Sequence, residues 1–163
     1  MSSKLNDVLL EAEARLLKTV VQSEQVFAGK VVIVYNETDL LDKTRTIKSF
    51  PALGIVYEGM RSEPEQGATV KGLSAEIVVA FVLIEQGEGI QQSKAKKTRA
   101  IDYLDAMRDQ FMGERSTVTG HIWHFMVEAP AELRSDMVCW VQRWSLPVQL
   151  PPKKVGLNGP YAP

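Results

Sequence analysis

The chain has 163 residues, 45% of them hydrophobic and 24% charged, which suits one soluble domain with a substantial core. Its 19 Lys+Arg against 20 Asp+Glu leave a net charge of -1, which argues against a general nucleic-acid binder while leaving room for a local basic patch. The single cysteine, Cys139, excludes an internal disulfide, and Met1 to Asp7 lack the apolar core of a signal peptide, so the expectation is a soluble protein made in a cytoplasm.

In chain order, the first predicted element is a helix over 5–22. Leu5, Val8, Leu9, Ala12, Leu16 and Val20 form one apolar stripe, and Leu10, Ala14, Leu17 and Val21 form a second beside it. Such width fits either a deeply packed helix or one that touches both its own sheet and a neighbouring subunit. Lys30 to Tyr35 reads as a strand closed by Asn36. Glu37 to Ser49 is either a short helix or a charged surface loop, broken at Phe50-Pro51 because the residue before proline avoids helical geometry.

Ala52 to Glu58 is the next strand, and Gly59 to Gly67 a long polar loop: a hairpin tip or a contact arm. Ala68 to Glu85 can hold one long strand bent at Gly72. Within it, Ile77 to Ile84 are eight apolar residues without a break. A strand with one wet face would alternate, so this one should be central and covered on both faces. At eight residues it falls well short of the ~20 needed to cross a bilayer.

A second helix is predicted over 96–111, with Ala100, Tyr103, Leu104, Met107 and Phe111 on its apolar stripe. Lys94, Lys96, Lys97 and Arg99 crowd its expected start, where cations oppose the helix dipole; they read as a solvated face or as a site for an acidic partner. Gly120 to Glu128 and Met137 to Trp144 read as an antiparallel ribbon with a long turn, Trp123, Phe125 and Val127 on one face and Ile122, His124 and Met126 on the other. From Ser145 onward, Pro147, Pro151, Pro152, Pro160 and Pro163 predict an extended tail, since proline fits neither a helix nor a central strand. Val148, Leu150, Val155, Leu157 and Tyr161 make it more apolar than a solvated tail requires, as in an arm laid on a neighbour.

No catalytic constellation stands out. His121 and His124 should point to opposite faces of a strand and cannot chelate one ion together. Cys139 sits among Met137, Val138 and Trp140, as an inert buried thiol does. Gly54, Gly59 and Gly67 fit no phosphate-binding loop. The expectation is a non-enzyme without cofactor or metal, of α+β class: a mixed or antiparallel sheet of about four to six strands, two main helices, a long hairpin and an extended arm. The division is a domain over 1–147 and an arm over 148–163.

Two blocks and a helix carry a family resemblance. One block is Phe50-Pro51-Ala52-Leu53-Gly54-Ile55-Val56-Tyr57-Glu58-Gly59; the other is Gly120-His121-Ile122-Trp123-His124-Phe125-Met126-Val127-Glu128-Ala129-Pro130, followed by Gln142-Arg143-Trp144. Between them lies Asp102-Tyr103-Leu104-Asp105-Ala106-Met107-Arg108. Together with the element order, these resemble the tail terminator, or tail completion, proteins of long-tailed bacteriophages. The resemblance spans 51–150 and leaves out 37–49 and the final tail.

It implies a hexameric ring in the virion, assembled in the host cytoplasm, at the head-proximal end of the tail. The ring would stop polymerisation of tail tube protein and of any tail sheath protein, and would join the tail to a neck or connector protein. Genomic DNA would pass its lumen without specific binding, and no membrane is involved. The contact elements expected on this reading are the first helix, the 61–67 loop and the tail. The residues singled out are Arg61, Glu63, Glu65, Lys94, Lys96, Lys97, Arg99, Val148, Leu150 and Tyr161. Competing readings are a neck or head-completion ring and a small bacterial α+β enzyme or regulatory domain.

Overall fold

The computed structural model describes residues 3–46, 49–62, 72–86, 90–133 and 137–151; the side chains of 37, 44, 86 and 90–98 lie outside that description. The unbroken apolar run falls in β5 (Leu73–Gln86), the middle strand of a five-stranded sheet. Its neighbours are β3 (Val31–Val34), β4 (Ala52–Arg61), β6 (His124–Ala131) and β7 (Met137–Leu150), in the order β3-β4-β5-β7-β6. β3 runs parallel to β4 and every other neighbouring pair is antiparallel. The sheet is therefore mixed and the class α+β, as expected.

Both faces of β5 are covered, which is why its sequence does not alternate. Ile77, Val79, Phe81 and Leu83 join the larger core, shared with α1 (Lys4–Leu17) and α3 (Ile90–Asp109). Ala80, Val82 and Ile84 join a smaller core on the other face, with Val34, Val56, Cys139, Val141 and Leu40 of α2 (Glu37–Thr44).

Helix α1 is started by Ser3, whose hydroxyl accepts from the Asn6 amide at 3.2 Å. Val8, Leu9, Ala12 and Leu16 are its buried stripe. The second stripe is divided: Leu10 is 53% exposed and Ala14 is exposed, whereas Leu17 is half-buried and Val21 packs against the larger core from beyond the helix. After α1 a small hairpin, β1 (Val20–Val21) with β2 (Glu24–Gln25), turns through Gln22 and Ser23 at φ 52° and 66°. Sequence reading missed it, because a turn with two left-handed residues is normally marked by Asn-Gly or Asp-Gly.

The 37–49 alternative resolves to a helix. Asn36 caps α2 by accepting from the Asp39 amide at 2.7 Å. Gly54 lets this helix close on the sheet: a Cβ there would lie 2.6 Å from Leu40 Cδ1. β4 runs on past Glu58 to Arg61 through a bulge at Gly59, which holds φ 119°.

Four expectations need correction. The helix expected over 5–22 ends at Leu17, and Val20 and Val21 belong to the β1–β2 hairpin instead of the helix stripes. Helix α3 begins at Ile90, so Lys96, Lys97 and Arg99 lie beyond its first turn, where the dipole has largely faded. The strand expected from Gly120 begins at His124; Trp123 precedes it, buried, with its amide bonded to the Glu114 carbonyl at 3.0 Å. A register shift between Phe125 and Val127 also breaks the simple face alternation. Strand β7 continues past Trp144 to Leu150, where an extended tail was expected. Pro147 is tolerated because pairing with β6 ends at Ser145, leaving β7 with β5 as its one strand neighbour there. Pro130 likewise sits in an edge strand. Among the described residues, no helix is long and apolar enough to cross a membrane.

Candidate interaction surfaces

One polar cluster ties α1 to the 110–121 connection that delivers the chain to β6. The Glu11 carboxylate accepts from Ser116 Oγ at 2.6 Å, from the Thr117 amide at 2.8 Å and from Thr117 Oγ1 at 3.2 Å. Arg15, one turn on, reaches the same carboxylate at 3.3 Å and donates to the Arg115 and Gln110 carbonyls. Burial alone would raise the Glu11 carboxyl; the Ser116 hydroxyl, the Thr117 amide and Arg15 outweigh it and hold the carboxyl below its usual range. The Glu11–Arg15 pair, four apart in the favourable order, is legible in the sequence; Ser116 and Thr117, about a hundred positions away, are not.

A second polar node lies inside the core. Gln142 is fully buried between Trp140 and Trp144 in sequence, and its Nε2 donates to the Leu104 carbonyl and to Glu128 Oε1, each at 2.8 Å. Arg108 approaches the same Glu128 at 3.5 Å. These bonds join α3, β6 and β7. Beside them Phe111 packs against Phe81 and Trp144 with tilted rings and against Trp123 edge-on, with ring centroids 4.7, 5.4 and 5.1 Å away. This is packing, and it binds the 110–123 connection to the sheet.

The opposite sheet face carries two ion pairs, Arg61 to Glu76 at 3.2 Å and Arg143 to Glu58 at 2.9 Å. A hydrogen bond from Ser145, together with Arg61, lowers the Glu76 carboxyl despite its partial burial. Beside Arg143 and Glu58, Val56, Ala80, Val82, Val141 and Leu133 line a recess of about 180 Å³.

Both sheet edges are open: β3 and β6 each have one strand neighbour among the described residues. Lys43 Nζ covers the β3 edge region by donating to the Ile33 carbonyl at 3.2 Å. β6 exposes Phe125, Met126 and Val127 in succession, each 38–41% exposed.

The expected contact residues are dispersed. Arg61 is exposed at the end of β4 and Arg99 is exposed on α3. Lys94, Lys96 and Lys97 lie on α3 with side chains outside the description, while Glu63, Glu65 and Tyr161 lie outside the described residues. Val148 is 2% exposed in the core and Leu150 is half-buried, so these two pack against their own sheet through β7. Cys139 is buried, as expected. His121 and His124 are both exposed, and no cluster of three metal-binding side chains occurs among the described residues. No protein-family model and no curated protein matches the chain.

Proposed function

We propose that the protein is a structural ring component of a phage tail, a tail terminator that caps the head-proximal end of the tail tube and offers its other face to the neck. The observation that carries this reading, beside the resemblance of the 50–59 and 120–144 blocks, is β6: an open sheet edge bearing three consecutive exposed apolar side chains. Such an edge is a template for association unless a partner covers it. The second open edge, β3, is different in length and direction, with Tyr35 73% exposed just beyond it. Two unlike contact surfaces on one chain are what a head-to-tail ring needs. The polar clusters described above are consumed in holding elements together, which is compatible with a protein that acts through its surfaces.

The test is the mass of the purified protein in solution by light scattering, alone and mixed with tail tube protein. A hexamer, or a monomer that forms rings on tubes and limits their length, supports termination. A stable monomer indifferent to tubes overturns it.

A further inference from the structure

We propose that the groove along α1 is the docking site of this chain's own 152–163 segment. The groove is open, about 680 Å³, and runs between α1 and the 109–118 connection. Its apolar floor is Leu10, Ala14 and Val118; Leu10 is half exposed although it belongs to the second apolar stripe of the helix. Its lining brings four carboxylates, Asp7, Glu11, Asp109 and Glu114, against two cations, Arg15 and Lys18. Glu11 and Arg15 are committed to the clasp, and Asp7 and Asp109 have no ion-pair partner among the described residues.

The described chain ends beside the mouth of this groove. Lys4 Nζ, in the first turn of α1, donates to the Gln149 carbonyl at 3.0 Å, so β7 delivers the backbone to the helix start two residues before Pro151. Asp7 lies one turn further along α1. The sequence beyond Pro151 is Pro-Lys-Lys-Val-Gly-Leu-Asn-Gly-Pro-Tyr-Ala-Pro. Its two lysines come first, where the acidic rim begins, and Val155, Leu157 and Tyr161 follow, where the floor is apolar. The lengths agree: the helix from Asp7 to Lys18 is about 17 Å long at ~1.5 Å per residue, and twelve residues in extended form reach up to about 40 Å. Docking would cover Leu10 and bring Lys153 and Lys154 to the acidic rim that Asp7 begins. This inference does not depend on the tail-terminator reading.

The experiment is paramagnetic broadening in the full chain. Leu157→Cys carries a nitroxide, Cys139 being only 3% exposed and so protected from the reagent. The expected result is that the methyl signals of Leu10, Ala14 and Val118 lose more than half their intensity relative to the reduced label. The paired change Lys153→Glu with Lys154→Glu should restore them, as should raising NaCl to a concentration that screens exposed charges. Full intensity with the label at Leu157→Cys and again at Asn158→Cys overturns the proposal. So does broadening that persists when isotope-labelled chains without the nitroxide are mixed with spin-labelled chains without the isotope, which would place the segment on a neighbouring copy.

Discussion

The Glu11 carboxylate and the Ser116 hydroxyl meet at 2.6 Å across 105 positions of sequence. With Arg15 they fasten the first helix to the connection that carries Trp123 into the core. Replacing Glu11 by Ala should cost about 1–3 kcal/mol, because it removes charge-assisted hydrogen bonds and leaves the buried Ser116 hydroxyl without its acceptor, while Arg15 keeps the Gln110 and Arg115 carbonyls. Urea denaturation at neutral pH measures this. No loss would mean that solvent replaces the clasp.

The same carboxylate sets an acid dependence. Its folded pKa is lowered, so its contribution is full above the unfolded Glu value of about 4.3 and is lost as pH falls through the folded value. The stability difference between the native protein and Glu11→Gln should therefore shrink as pH drops below about 4. A difference independent of pH would show that the lost charge is not what matters.

Gly54 and Leu40 form a tight contact on the second sheet face. Gly54→Ala should destabilise by ~1–3 kcal/mol, since its Cβ would press on a Leu40 methyl that is itself buried. Leu40→Ala alone should cost ~2–5 kcal/mol. The double variant should cost less than the sum of the two, because the shortened residue 40 makes room for the new methyl. Additive costs would place the strain elsewhere.

Phe111 is the hub of an aromatic cluster with Phe81, Trp123 and Trp144. Phe111→Ala should cost ~3–5 kcal/mol and shift tryptophan emission to the red as water reaches Trp123 or Trp144. Thermal unfolding and fluorescence report the two effects separately.

The exposed edge of β6 gives a test of assembly. Met126→Lys or Val127→Lys should leave monomer stability within ~0.5 kcal/mol, as exposed positions usually do. If β6 is a subunit contact, either change should reduce the ring to monomers in light scattering. A ring that survives both would move the interface to another surface.

The central strand is written in the local pattern of the chain. Eight apolar residues from Ile77 to Ile84 leave no wet face, and β5 is the middle of the sheet with a core on each side. The buried stripe of α1 was legible for the same reason, since local periodicity records which side of an element meets the core; the β6–β7 ribbon was legible as an antiparallel pair, but the shift between Phe125 and Val127 hid which side of β6 faces inward. Other features follow from how distant segments pair. Pro147 could remain in β7 because one neighbour strand ends at Ser145, a fact about pairing that a proline cannot announce. That pairing converts Val148 and Leu150 from expected arm residues into packing residues of the sheet. Likewise Glu11 and Gln142 are ordinary polar residues in sequence. Their roles come from Ser116 and from Leu104 and Glu128, which reach them only after the chain has folded. Periodicity reports burial along one element, whereas hydrogen-bond partners and open edges depend on where distant segments arrive.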